Sequence, residues 1–295
     1  MGKRILLFIL TNIAVVFTIS IILSILGVDR YVTSRGLDLG SLMTFCFIWG
    51  MGGAFISLQM SRWIAKRSTG MTLVDGHSGN AASDHVYAMI ANLTQQAGLP
   101  MPEVGIYDSP EVNAFATGPS KDRALVAVST GILRTMRDDE LEGVLGHEIT
   151  HIANGDMVTM TLLQGVINAF VMFFARVIAF ALANAGNSNR RERGYGGGSF
   201  MVVWMLQIVL GMLGSIITAW FSRQREFRAD KGGAMLAGRE RMIAALRRLQ
   251  ANREMVDTSQ QALATLKIHD VPGWMSLFST HPPLEARIAA LETMR

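Results

Sequence analysis

His147-Glu148-Ile149-Thr150-His151 is the stretch of this chain whose residue types and spacing can do chemistry unaided. On an α-helix, positions i and i+4 share a face one turn apart, so two imidazoles placed that way reach a single cation. Glu148 points aside from that axis, where its carboxylate can take a proton from water at the metal without being a ligand. Zinc suits such a site, because it accepts borderline nitrogen donors and, with three protein ligands, keeps a position open for water. The plain alternative is a chance HExxH on a helix surface. With only 6 histidines in 295 residues, such a match arises by chance in about one chain in a hundred. The flanking residues support a helix: Asp138 reads as its N-cap, Glu140 and Glu142 suit the first turn, and Leu141, Val144 and Leu145 give an apolar face.

Two histidines need a third ligand. The single cysteine, Cys46, falls inside an apolar run, which leaves no thiolate zinc knuckle and no disulfide framework. No histidine follows His151 at the six-residue spacing of the all-histidine class. A carboxylate is then the natural choice, and Glu226 in Arg225-Glu-Phe-Arg-Ala-Asp230 stands out. It directly follows one apolar run, as His151 directly precedes another, so a membrane hairpin between them returns the chain to the same interface. Asp230, one turn on, can accept the free N–H of a ligand imidazole and fix its tautomer. The alternative for this cluster is a juxtamembrane face of local i,i+4 ion pairs.

The elements that must position these groups follow from the hydropathy. Half of the residues are hydrophobic and only 17% are charged, too apolar for an ordinary soluble chain of this length. The net charge of +4 comes with no dense basic stripe, which argues against nucleic acid and for positive charge flanking membrane spans. Spans are expected at about 5–26 and 39–60, then within 157–185 and 199–221, each near the roughly 20 residues that cross a bilayer. The domains expected are an N-terminal transmembrane hairpin over 1–60, a first part of a catalytic domain over 61–156, a second hairpin, transmembrane or partly re-entrant, over 157–221, and a second catalytic part over 222–295. Lys3, Arg4, Arg62, Lys66, Arg67, Arg223 and Arg225 then share one side, the cytoplasmic side by the positive-inside rule. Arg176 inside the third span and Arg190, Arg191 and Arg193 in the following loop fit this scheme poorly. The polar pieces read as α+β: helices near 83–97, 138–153, 222–237, 239–253 and 283–293, with strands at 104–107 and 125–128. The whole is a mainly α membrane protein with four transmembrane helices and an α+β metalloprotease domain.

Two further segments are candidates for the cleft. Asn113, Ala114 and Phe115 open a stretch to Thr117 that reads either as an edge strand able to pair with an extended substrate or as a turn. His281, before Pro282 and Pro283, is either an oxyanion donor or gate at the metal or simply the residue before a last helix. Arg228 and Arg287 read either as buttresses of the site through salt bridges or, the safer choice, as solvated pairs, and His77, His85 and His269 carry no motif.

With these residues assembled, nearly the whole chain resembles the HtpX-type membrane zinc proteases, heat-shock-linked bacterial relatives of the CAAX prenyl endopeptidases. The marks are Asn113–Gly118, Val128–Gly131, His147–Asp156, Ser222–Asp230, and His281-Pro-Pro283 followed by Arg287. The resemblance implies one zinc ion held by His147, His151 and Glu226, a gluzincin-like domain, and a substrate role for the segment at Asn113. It also implies a protease domain facing the cytoplasm from the bacterial inner membrane, degrading damaged or misassembled membrane proteins in a stress response. An intramembrane protease is disfavoured, since Arg137–Glu142 and Asn154–Asp156 set the motif in water. A prenyl-protein processing enzyme shares the chemistry, and a non-enzymatic scaffold is disfavoured by the presence of Glu148.

Overall fold

The computed structural model describes residues 36–185, 197–259 and 275–294, the short strand at 32–33 and single positions between 17 and 25. The expected first span at 5–26 lies outside the described residues apart from those positions, as do His269 and most of the loop at 187–198. The chain divides into two compact units. One comprises Met1–Ser57 with Met160–Thr218, the other Leu58–Thr159 with Ala219–Arg295.

Among the described residues, three helices are long and apolar enough to cross a membrane: α1 (Leu39–Thr69), α5 (Asp156–Ala185) and α6 (Gly197–Ala237). A two-stranded hairpin, β1 (Val32–Thr33) with β2 (Gly36–Leu37), precedes α1. Within the first unit, α1 and α5 touch backbone to backbone at Gly50, where a Cβ would lie 2.7 Å from the Ala169 nitrogen. Such small-residue contact is the way helices pack in lipid, where apolar burial gives no drive. Arg176, the charge that fitted its span poorly, lies over the Phe45 ring at 5.3 Å and donates to the Met172 carbonyl at 3.0 Å. An aromatic face and a carbonyl from the preceding turn thus meet the cation.

The third apolar helix does not stop where its hydropathy does. A separate helix was expected from residue 222; instead α6 runs unbroken for 41 residues, about 60 Å against the roughly 30 Å of a hydrocarbon core. Ser222–Asp230 contains neither proline nor glycine, so the hydrogen-bond ladder continues while the side chains turn polar.

The second unit is built on a mixed sheet of order β3-β4-β6-β5: β3 (Thr72–Val74), β4 (Glu103–Tyr107), β6 (Leu125–Ser129) and β5 (Ala114–Thr117). β4 and β6 are parallel, and the outer strands pair antiparallel with them. All five residues of β6 are buried, as its unbroken apolar run requires. Against the sheet lie α2 (Ala81–Gln96), through Val86, Ile90 and Leu93, and α4 (Asp138–Asn154), through Leu145, Ile149 and Ile152. The short α3 (Thr130–Thr135) joins β6 to α4. Residues 72–80 form the strand β3 and the cap of α2, where the Asn80 side chain accepts from the Ala82 and Ser83 amides.

α7 (Arg239–Ser259) crosses α4 closely: a Cβ at Gly143 would lie 2.5 Å from the Arg241 carbonyl oxygen. α8 (Leu284–Glu292) packs Ile288 and Leu291 against Met242, Ile243 and Leu246 of α7. Asp138 is the first helical residue of α4 and not its cap. The cap is Arg137, whose N–H donates to Glu140 Oε2 at 2.9 Å, while Asp138 lies 3.1 Å from His85 Nε2.

Candidate metal centre

α4 presents His147 and His151 one turn apart, 8% and 9% exposed, and α6 presents Glu226 and Asp230 one turn apart, each 2% exposed. The two helices face each other across the site. His147 Nε2 and His151 Nε2 lie 3.1 Å apart. Glu226 Oε2 is 3.6 Å from the first and Glu226 Oε1 is 3.5 Å from the second. For zinc–ligand distances near 2.0–2.1 Å, the edge of a tetrahedron is about 3.3–3.4 Å. The three donors therefore stand close to the spacing that one zinc ion would impose, and among the described residues they form the one group of this kind. Two nitrogens and a carboxylate oxygen are also the donor chemistry that zinc accepts.

Each imidazole is oriented through its other nitrogen. His147 Nδ1 lies 2.9 Å from Asp230 Oδ1, and Asp230 in turn accepts from Arg287 Nε at 2.7 Å. His151 Nδ1 lies 2.6 Å from Asp156 Oδ2. A carboxylate on Nδ1 puts the proton there and leaves Nε2 free to bind a cation, so both Nε2 atoms face the shared point. Burial opposes charging of His147, but hydrogen bonds to Asp230 and Glu226 outweigh it and hold the imidazole up at about 9. His151 is also raised: burial is outweighed by Asp156 and Glu226. Arg287 is raised too, burial being outweighed by Asp230. This polarity, protons held where a divalent cation would sit, is that of a site built for positive charge.

Arg287 takes the buttressing one of its two readings and not the solvated pair that was preferred: it is 7% exposed and fixed by Asp230. Pro283 caps α8, and the burial of Ile288 and Leu291 against α7 leaves Arg287 facing α6. Arg228 lies over the Phe221 ring at 5.7 Å. His281, with 66% of its side chain exposed, sits with Nδ1 3.1 Å from Glu226 Oε2. Arg223 holds the segment before it, donating to the carbonyls of Leu277 and Ser279 at 3.2 and 2.6 Å.

Asp156 was missed as an orienting group. Its one sequence signal was position, a carboxylate five residues after His151 across Gly155, whose φ of +66° ends α4 in the left-handed region glycine adopts freely.

Glu148 is half-buried and lines two cavities beside these donors. The larger, about 290 Å³, runs along Asn113, Ala114, Phe115 and Ala116 to Asp156 and Arg225. The smaller, about 140 Å³, is floored by Ile132, Val144, Met242, Leu246 and Leu249. The Asn113 segment does form an edge strand: among the described residues β5 pairs with β6 on one side alone.

A membrane protein with such a domain is, as a class, a metallopeptidase. The sequence profile of peptidase family M48 matches residues 80–295. A protease HtpX homolog of Methylacidiphilum infernorum is 50% identical over 99% of both chains. Protease HtpX of Idiomarina loihiensis is 49% identical over 99% of this chain and 100% of its own. A homolog from Verminephrobacter eiseniae is 52% identical over 98% of each. The crystal structure of S. mikatae Ste24p shares the fold with a TM-score of 0.63 at 18% identity, covering 99% of this chain, which spans 66% of that one. The chain belongs to peptidase family M48, with relatives of the HtpX type.

Proposed function

We propose that the chain is a zinc-dependent endopeptidase of the bacterial inner membrane that cleaves damaged or misassembled membrane proteins from the cytoplasmic side. The observation that carries the chemistry is the convergence of His147, His151 and Glu226 within 3.1–3.6 Å of one another, beside Glu148. His147, His151 and Glu226 would hold the zinc, whose Lewis acidity activates a water and polarises the scissile carbonyl. Asp230 and Asp156 keep the two imidazoles in the tautomer that leaves Nε2 open. Glu148 takes the proton of the attacking water and passes it to the leaving amine, so no acyl-enzyme forms. β5 receives the substrate as an added strand, with Asn113, Ala114 and Phe115 beside the scissile bond; main-chain pairing gives grip with little sequence preference. His281, beside the Glu226 carboxylate, donates to the oxyanion as the carbonyl is attacked. The HtpX-type relatives and the apolar helices support membrane-protein substrates.

The test uses the detergent-solubilised full chain with an unfolded model protein. Cleavage should stop with a chelator and return with zinc. Glu148→Gln should retain zinc and lose about 10²–10⁴ in turnover. Full activity in that variant would remove the general-base role, and zinc-independent cleavage would remove the metal.

A further inference from the structure

The larger cavity holds a cation that the hydrolysis above leaves unused. Arg225 precedes Glu226 on α6, with its Nη2 3.3 Å from Glu226 Oε1 and 20% of its side chain exposed. Its Nε is buried and has no hydrogen-bond partner among the described residues. A guanidinium carries five N–H donors and no acceptor, so one contact at 3.3 Å leaves most of its donors unused. Nε itself is closed to solvent, so a group entering the cavity that Arg225 lines would meet the terminal Nη donors of this part-exposed side chain.

β5 lines the same cavity through Ala114, Phe115 and Ala116. In an extended peptide added to an edge strand, alternate residues direct both N–H and C=O toward that strand, and the residues between direct theirs away. Carbonyls on the far side lose water on entering the cleft and meet no further strand. We infer that Arg225 is their partner: with β5 on one side of the substrate, the Arg225 guanidinium donates to a main-chain carbonyl oxygen on the other, on the flank of the scissile bond toward Ala116. A neutral carbonyl fits better than an acidic side chain, because Glu148, Asp156 and Glu226 line the cavity and repel a fourth carboxylate. The inference rests on the endopeptidase reading and deepens it: the grip is on the peptide main chain, which suits substrates selected by being unfolded.

The experiment measures peptide binding in a Glu148→Gln background, zinc-loaded, where no cleavage intervenes. One peptide sequence is prepared with each amide in turn replaced by a thioamide, whose sulfur is a poor acceptor. Arg225→Met should weaken the parent peptide by about 10–100-fold, the range for a hydrogen bond to a charged group. One thioamide position should weaken binding to the Arg225 protein by a similar factor and lose nothing further in Arg225→Met, the coupling expected of a direct contact. An equal loss across every peptide would overturn the contact, since a merely structural role moves them all alike. Tighter binding of a peptide with aspartate on that flank, dependent on Arg225, would overturn it in favour of a carboxylate site. Zinc per chain is measured in each variant. If Arg225→Met loses zinc, Arg225→Lys carries the same scan, keeping the charge without the planar fork. Failure of the endopeptidase reading would appear separately, as absence of zinc-dependent cleavage with Glu148 and Arg225 both intact.

Discussion

His151 and His147 differ in where their orienting carboxylates come from. The partner of His151 is Asp156, five residues on, where Gly155 turns α4 into α5. The partner of His147 is Asp230 on α6, which is itself fixed by Arg287 on α8. One half of the centre is thus complete once two consecutive helices meet at a glycine, and the other waits for three segments distant in the chain. The first should behave as a local feature of the metal helix. The second ties metal affinity to the packing of the whole catalytic unit, since Asp230 and Arg287 are both buried and removing one takes from the other its closest ion-pair partner.

The largest effect expected is from Glu226→Ala, which takes away a donor common to both halves: zinc should be lost from the purified protein, as read by elemental analysis, and peptidase activity with it. Arg287→Met comes next. It leaves buried Asp230 with His147 but without its guanidinium, so both stability and metal affinity should fall, by about 3–5 kcal/mol and about 10–100-fold, in thermal unfolding and zinc titration. Asp156→Asn should cost a similar 10–100-fold in zinc affinity but less stability than Arg287→Met, because the isosteric amide can still accept from His151 within one local turn. Equal stability losses in the two variants would erase the distinction between a local and a remote half.

Proton linkage sharpens the same comparison. His147 in the metal-free protein is raised from 6.5 to about 9. A raised histidine adds stability that is complete below the unfolded value and is lost as pH rises through the folded one. Chelator-treated protein should therefore lose melting temperature between pH 6.5 and 9 relative to zinc-loaded protein, in which the cation takes the proton's place. A parallel pH dependence of the two forms would refute the proton's part in the empty site. The smallest effect belongs to His85→Ala. Its contact with Asp138 is solvent-exposed, worth about 0.5 kcal/mol or less, and neither zinc content nor activity should change.

Much of the centre was legible before any coordinates. A 3.6-residue period with the two histidines at i and i+4 specifies a helix and a common face, because both are properties of a single turn. The apolar runs at 39–60, 157–185 and 199–221 fall in the three described helices long and apolar enough to cross a membrane, for the equally local reason that a bilayer needs about 20 unbroken apolar residues. Glu226 was within reach because hairpin connectivity alone returns the chain to the interface it left. Other parts were read incompletely. α6 was split at residue 221 because hydropathy changes there while helix propensity does not. For Arg287 a solvated pair was preferred to a buttress of the site, since its sequence neighbours say nothing of the Asp230 carboxylate that it meets.

The sequence by itself determined the helix that carries His147 and His151 on one face, the class of donors it offers and the long apolar runs, and it left the segment at Asn113 open between an edge strand and a turn. Each of these is encoded by residues within a turn, a strand or one bilayer thickness of each other. Only the tertiary structure decided that Glu226 stands within 3.6 Å of both imidazoles, that Asp230 and Arg287 form the support of His147, and that Arg225 and β5 line one cavity. Those relations join segments far apart in the chain, and their distances follow from how helices pack through close contacts such as that at Gly143, which residue spacing along the chain does not carry.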